Sequence, residues 1–170
     1  MRSTRGLAAL LLVVGILITF APTAGAVPTD RFTTLMEGRF TIAECPEPEF
    51  SPGFNVVDQF FIDVDTTLFF DQDGNTTDVH LKIHGTDSYV NTVTGRTITM
   101  PSSFMVHFDP ETLLNMSTGL QYHLVVPGLG NVLLDVGRTV FDLNTGQFVV
   151  LNGPHQVVEG DTSGICLALQ

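Results

Sequence analysis

Histidines and carboxylates are the side chains of this sequence whose types and spacing suit a metal site. Five histidines are present, and a neutral imidazole is a common ligand of zinc, copper and nickel. His107, His123 and Asp135 fall in three successive segments of predicted strand, and the strand pairing proposed below places them on one sheet face. We therefore name these three residues as the candidates for a metal site. A solvated polar sheet face explains the same residues without an ion, so both interpretations stay open.

Two further patterns of metal ligands fit less well. His80 and His84 stand four residues apart on one predicted strand, about 13 Å from each other, which is too far to share one ion. Residues 71–75 place Asp, Asp and Asn at the first, third and fifth positions of a calcium-binding loop. Thr76 and Lys82 then replace the glycine and the glutamate that such a loop needs. Since Asp-Gly between two alternating segments is typical of a hairpin, we interpret this segment as a turn.

Catalytic motifs are not found in the sequence. It has no Gly-x-Ser-x-Gly motif, phosphate-binding loop or dinucleotide fingerprint, and Ser102, Ser103 and Ser163 have no adjacent base. We predict no catalytic residue and no cofactor. A non-enzymatic function is favoured, and an enzyme is left open.

Cys45 and Cys166 are the two cysteines, one near each end of the chain that follows the leader segment. An even number of cysteines in an exported chain predicts a disulfide, so we expect these two to be bonded. Such a bond closes almost the whole domain into one loop. It also removes the thiols from any catalytic role.

The segments that carry these side chains read as antiparallel strands. Residues 120–151 form three alternating runs, broken by the turn-forming clusters Pro-Gly-Leu-Gly and Asn-Thr-Gly, and the upstream chain repeats this pattern. Helix signals are confined to single turns, of which residues 163–169 are the clearest. With turns spaced roughly 8 to 12 residues apart, we predict an all-β antiparallel meander of about eight to ten strands. A small closed β-barrel of lipocalin type is the expected fold, and a β-sandwich is the alternative.

Strand register can be predicted by asking which pairing keeps apolar residues on one face. Three pairs meet this condition: Leu68 with Val79, Val106 with Tyr122, and Leu124 with Leu134. The third pair sets His123 opposite Asp135, which is the basis of the metal hypothesis. The predicted inner face includes Phe60, Phe104, Phe108 and Tyr122.

The first residues predict export. Arg2 and Arg5 precede an apolar run that is too short to span a bilayer, and Ala24-Gly25-Ala26 provides a small-residue cleavage site. We predict a signal peptide over residues 1–26 and a single β domain over residues 27–170, secreted or periplasmic, with no membrane span after cleavage. The exported chain has five basic and eighteen acidic residues, a net charge of −13. A nucleic-acid partner is not expected, because phosphate backbones require clustered Lys and Arg.

The segments 119–138 (Gly-Leu-Gln-Tyr-His-Leu-Val-Val-Pro-Gly-Leu-Gly-Asn-Val-Leu-Leu-Asp-Val-Gly-Arg) and 153–161 (Gly-Pro-His-Gln-Val-Val-Glu-Gly-Asp) carry a resemblance. With the proline-rich region at the first cysteine and the late second cysteine, they resemble a group of small exported bacterial β-rich proteins that has no established activity. The resemblance covers most of the exported chain. It implies an exported β domain and assigns no catalytic residue.

Three functions agree with these features. The first is a barrel that binds a small apolar ligand between its inward-facing aromatic and aliphatic residues. The second is a stable structural or interaction domain with a filled core. The third is a barrel-type cyclase or metal-dependent enzyme. No feature of the sequence indicates the oligomeric state.

Overall fold

Seven antiparallel strands and two short helices make up the computed structural model, which describes residues 29–170. The elements are β1 (Thr29–Cys45), β2 (Phe54–Phe70), β3 (Thr76–Asn91), β4 (Thr97–Asp109), β5 (Leu114–Val126), β6 (Gly130–Asp142), β7 (Gln147–Asn152), α1 (Gln156–Glu159) and α2 (Ser163–Leu169). The strands pair in sequence order in one sheet, with no pairing between β1 and β7 in this range. The predicted all-β meander is confirmed. The predicted signal peptide, residues 1–26, lies outside the described residues.

The number of strands was overestimated. Seven strands are present where eight to ten were predicted, because β1 to β6 are each 13 to 17 residues long. Strand β1 alone spans 17 residues, from Thr29 to Cys45. Neither helix in the described part of the chain is long or apolar enough to cross a membrane.

The β2–β3 hairpin has the register predicted from the sequence. Leu68 is opposite Val79, and the pairs Asp65 with Lys82 and Asp63 with His84 follow on the other face. The turn is held by Asp71, whose Oδ1 accepts hydrogen bonds from the backbone N–H groups of residues 73 and 75. Because its oxygens are used in this way, the turn interpretation of residues 71–75 is supported over a calcium loop.

The other two predicted registers are wrong. Val106 is opposite Ser117, not Tyr122, because β5 begins at Leu114 after a tight turn in which Leu113 has a positive φ of 57°. Leu124 is opposite Leu133, not Leu134, because two irregularities in the β5–β6 ladder displace the pairing.

Two apolar clusters lie on the inner face of the sheet, which we define as the face carrying Val64 and Leu68. One cluster joins β2, β3 and β4 and contains Val64, Leu68, Phe70, Val79, Leu81, Ile83, Val106 and Phe108. The other lies toward the opposite end of these strands and includes Val56, Tyr89, Met100 and Leu133 together with Ile165, Ala168 and Leu169 of α2. Helix α2 therefore belongs to the core of one end of the sheet.

The predicted disulfide and the predicted terminal helix are confirmed. Cys45 at the end of β1 is bonded to Cys166 in α2. Helix α2 also packs against β6, so it connects early and late parts of the sheet. The Asn91 side chain, which is buried, donates a hydrogen bond of 2.9 Å to the carbonyl oxygen of Leu169 and fixes the end of the helix.

Candidate functional site

The inner face carries a group of polar side chains between apolar ones. Asp58 on β2 is directly opposite Tyr89 on β3, and residues opposed in this way project from the same face. Asp87 precedes Tyr89 by two residues and shares its face, and Ser102 on β4 is opposite Gly85 in the next row. We call Asp58, Asp87, Tyr89 and Ser102 the inner polar cluster.

Burial leaves three atoms of the inner polar cluster without hydrogen bonds. Asp58 is 1% exposed, Tyr89 0% and Ser102 3%. The Oδ1 of Asp58, the hydroxyl of Tyr89 and the hydroxyl of Ser102 have no partner among the described residues. Buried polar groups are almost always paired, so three unpaired groups on one face of one sheet are unusual.

The protonation of the cluster follows from its burial. Burial, and secondly the charge of Asp87, raise the pKa of Asp58 to about 8. Burial also raises the pKa of Asp87, and the nearby Ser102 hydroxyl opposes that rise without reaching hydrogen-bond geometry. Burial and then the Asp58 charge raise the pKa of the Tyr89 phenol. At neutral pH, Asp58 is therefore mainly a carboxylic acid, and Asp58, Tyr89 and Ser102 all offer hydrogen-bond donors.

Tyr122 of β5 belongs to the same region. Its ring centroid lies 6.4 Å from that of Tyr89. Part of the Tyr122 side chain stays accessible, while its phenol is enclosed densely enough that burial raises its pKa. The prediction that Tyr122 belongs to the inner face agrees with this position, although its predicted pairing with Val106 does not.

An apolar strip borders the inner polar cluster. Phe60 is opposite Asp87, Ile62 is opposite Gly85, and Phe104 follows Ser102 by two residues on the same face. These three side chains lie between the two apolar clusters and keep part of their surface accessible. Gly85 allows β2 to approach closely here, since a Cβ at this position would lie 2.2 Å from the carbonyl oxygen of Phe61. The inner face thus offers accessible apolar surface beside buried donors.

A second buried polar pair holds the C-terminal segment. Asp135 forms a β-bridge with His155, and the His155 Nδ1 lies 3.9 Å from the Asp135 Oδ1. Asp135 accepts hydrogen bonds from the backbone N–H of Val157, at 3.2 and 3.3 Å. Burial raises the pKa of Asp135 to about 7, and the Val157 N–H opposes this rise. The segment around His155 is therefore held on the sheet, and His155 itself is buried.

The metal-site candidates predicted from the sequence do not come together. His107 is opposite Met116, while His123 lies seven residues further along β5 and opposite Leu134. Asp135 is opposite Tyr122 and is fully buried, whereas His123 is exposed. The set of His107, His123 and Asp135 is therefore wrong as a site, because the ladder irregularities move Asp135 to the inner face and leave His123 outside.

His107 instead has different partners on the outer face. It is directly opposite His80 in the β3–β4 ladder, and Asp78 lies two residues before His80 on the same face. The ligand atoms of these three side chains all lie within 4.8 Å of one another. We call Asp78, His80 and His107 the outer triad. Aligning β3 with β4 in the sequence would have shown the His80–His107 pair.

The inner polar cluster was missed for another reason. The alternation that puts Phe60, Ile62 and Val64 on the inner face also puts Asp58 there, two residues earlier. Acidic residues are expected in water. Only strict adherence to the strand period would have placed Asp58 inside.

Comparisons with protein-family models, with curated proteins and with solved structures found no match for this chain. The resemblance to small exported β-rich proteins therefore stays a prediction. The function has to be argued from the two sites themselves.

Proposed function

We propose that this protein binds a small, uncharged, mainly apolar molecule on the inner face of its sheet. The body of the ligand packs on the apolar strip, and one carbonyl or hydroxyl oxygen accepts hydrogen bonds from the inner polar cluster. The observation that carries the proposal is the Tyr89 hydroxyl, which is fully buried and has no partner among the described residues.

The energetic argument concerns the unpaired donors. Each buried polar group without a partner costs about 1 to 3 kcal/mol, and the inner polar cluster holds three of them. A ligand oxygen that accepts from Asp58, Tyr89 or Ser102 removes part of this cost, which favours the bound state. The donors themselves are not in contact with solvent. A ligand can therefore reach them only if side chains of the apolar strip move aside.

We also propose that the sheet is curled into a barrel-like form in which α2 fills the gap between its ends. In support, α2 packs against β6, β1 and β2, and the Cys45–Cys166 bond fixes it to β1. The disulfide agrees with an oxidising compartment and so with the proposed export. A curled sheet encloses its inner face, which is the geometry that barrel-type binding proteins use.

Nile red, a neutral dye with a carbonyl acceptor, is a suitable probe of the proposed site. Its fluorescence should rise on titration with the purified protein and saturate at one dye per chain. Ser102→Ala removes one donor, and loss of a hydrogen bond worth about 0.5 to 1.5 kcal/mol should weaken binding about 2- to 13-fold.

Ser103→Ala is the matched control, because Ser103 is the next residue and is exposed on the outer face. It should bind the dye as the unaltered protein does. Absence of saturable binding, or equal weakening in both variants, would refute the proposal and favour the structural domain with a filled core. Mass spectrometry of organic extracts of the purified protein should in addition detect a molecule of the proposed class.

A further inference from the structure

We propose that the outer triad binds one divalent transition-metal ion, with Zn²⁺ as the reference ion. Asp78, His80 and His107 come from two adjacent strands and meet on the face opposite the inner polar cluster. This site is independent of the proposed ligand on the inner face.

The distances in the triad are close to those of a coordinated ion. The His80 Nε2 lies 3.1 Å from Asp78 Oδ2, and the His107 Nε2 lies 2.5 Å from Asp78 Oδ1. Zinc holds imidazole nitrogen and carboxylate oxygen at about 2.0 to 2.2 Å, so ligand atoms in a tetrahedral site are about 3.4 Å apart. The separations between the ligand atoms of the triad must change by about 1.5 Å or less to fit the ion. The three side chains are 29 to 42% exposed, so rotation of these side chains can provide that change.

Neighbouring groups hold the triad in place. The backbone N–H of Val79 donates a hydrogen bond of 2.9 Å to Asp78 Oδ1. The His80 ring is flanked by Phe69 at 4.8 Å and by His107 at 4.6 Å between ring centroids. Ligands oriented by packing and by outer-shell hydrogen bonds lose less freedom when the ion binds.

The ligand chemistry selects the class of ion. Two imidazoles with one carboxylate suit Zn²⁺, Cu²⁺ or Ni²⁺, whereas Ca²⁺ and Mg²⁺ require oxygen ligands. Three protein ligands leave one coordination position for water or another molecule. His80 also lines an open depression of about 420 Å³, together with Lys82 and Met105.

The same face provides an internal control. His84 lies 3.8 Å from Asp63 and 3.9 Å from Asp65, so it is also a histidine beside carboxylates. It has no second histidine opposite it, because its partner on β4 is Ser103. His84→Ala therefore removes an outer-face histidine without touching the triad.

The test is calorimetric titration of untagged protein with Zn²⁺, supported by the visible absorption of bound Co²⁺. We expect one ion per chain in the unaltered protein and in His84→Ala. His80→Ala and His107→Ala should each lose more than the 10- to 100-fold in affinity that removal of an outer-shell partner costs. Excess Ca²⁺ should not displace the ion.

Three results would each overturn the proposal: no saturable Zn²⁺ binding, equal affinity in the triad variants and the unaltered protein, or equal loss in His84→Ala and His107→Ala. Far-UV circular dichroism of every variant verifies the fold, which these exposed positions should leave unchanged. Because the inner-face probe is read separately, failure here leaves the ligand proposal intact.

Discussion

Replacing Asp58 by asparagine should change how the stability of this protein depends on pH. The pKa of Asp58 is raised from 3.8 to about 8 in the folded protein, chiefly by burial. Between these two values the folded state holds a proton that the unfolded state releases. The free energy of unfolding therefore falls as pH rises, and this contribution is fully present below pH 4 and lost above about pH 8.

The magnitude follows from the linkage relation. One such group changes the free energy of unfolding by about 1.36 kcal/mol per pH unit, which is about 5 to 6 kcal/mol over the whole interval. Asp135, with its pKa raised to about 7, acts in the same direction in the unaltered protein. Asp135 is present in both the Asp58→Asn variant and the unaltered protein. The difference between their free energies of unfolding therefore reports the contribution of Asp58.

Urea unfolding followed by far-UV circular dichroism, from pH 5 to pH 9 with the disulfide intact, measures this difference. The free energy of unfolding of the variant, relative to that of the unaltered protein, should rise by about 1.36 kcal/mol per pH unit up to about pH 8. Above that pH the difference should change little. Val64→Ala is the control, since it removes apolar contacts and no titratable group, so its destabilisation should be the same at every pH. Parallel curves for Asp58→Asn and the unaltered protein would show that Asp58 does not hold its proton and would refute the reasoning.

Two further predictions concern the framework. Replacing both Cys45 and Cys166 by serine opens a loop of 121 residues and should cost about 5 kcal/mol in the chain-entropy model, measured by urea unfolding against the oxidised protein. A loss below about 1 kcal/mol would mean that α2 is held by packing alone. Gly85→Ala places a Cβ 2.2 Å from the Phe61 carbonyl oxygen, so β2 and β3 must separate. We expect about 1 to 3 kcal/mol of destabilisation and a lower melting temperature, whereas an unchanged one would contradict the close approach.

The β2–β3 hairpin shows what the sequence can predict about this fold. Its faces alternate strictly, and Asp71 sets the turn through local hydrogen bonds, so the register follows from residues close in sequence. The all-β class follows from the same alternation, whereas the disulfide follows from two cysteines in a chain predicted to be exported. The strand number was not, because alternation alone does not separate one strand of 17 residues from two shorter ones.

The outer triad was harder to predict, and the predicted metal set was wrong, because both depend on strand pairings that local alternation does not determine. The outer triad needs the β3–β4 register, in which His80 faces His107 across a turn that begins after Asn91. The wrong metal set came from assuming a regular β5–β6 ladder. Each irregularity in that ladder moves the following residues to the other face of the sheet. As a result, the residue opposite Asp135 is Tyr122, where His123 was predicted.

The position of Asp58 gives a last prediction that separates stability from binding. As an acid, Asp58 donates a hydrogen bond to a ligand oxygen; once ionised above about pH 8, it cannot donate and repels that oxygen. Nile red does not titrate in this range, so its affinity for the unaltered protein should fall at least about 2- to 13-fold as pH rises from 6.5 to 9. The Asp58→Asn variant keeps an N–H donor at every pH, so its affinity should stay level while its stability at pH 9 exceeds that of the unaltered protein.

Measuring the folded fraction in the same samples excludes unfolding as the cause. If the affinity of the unaltered protein is independent of pH, Asp58 does not contact the ligand. If the variant loses affinity with pH in the same way, another group controls binding. If both results are as expected, the same buried acid would cost stability when ionised and support the proposed binding when protonated, and local rules are most often broken in this way at functional sites.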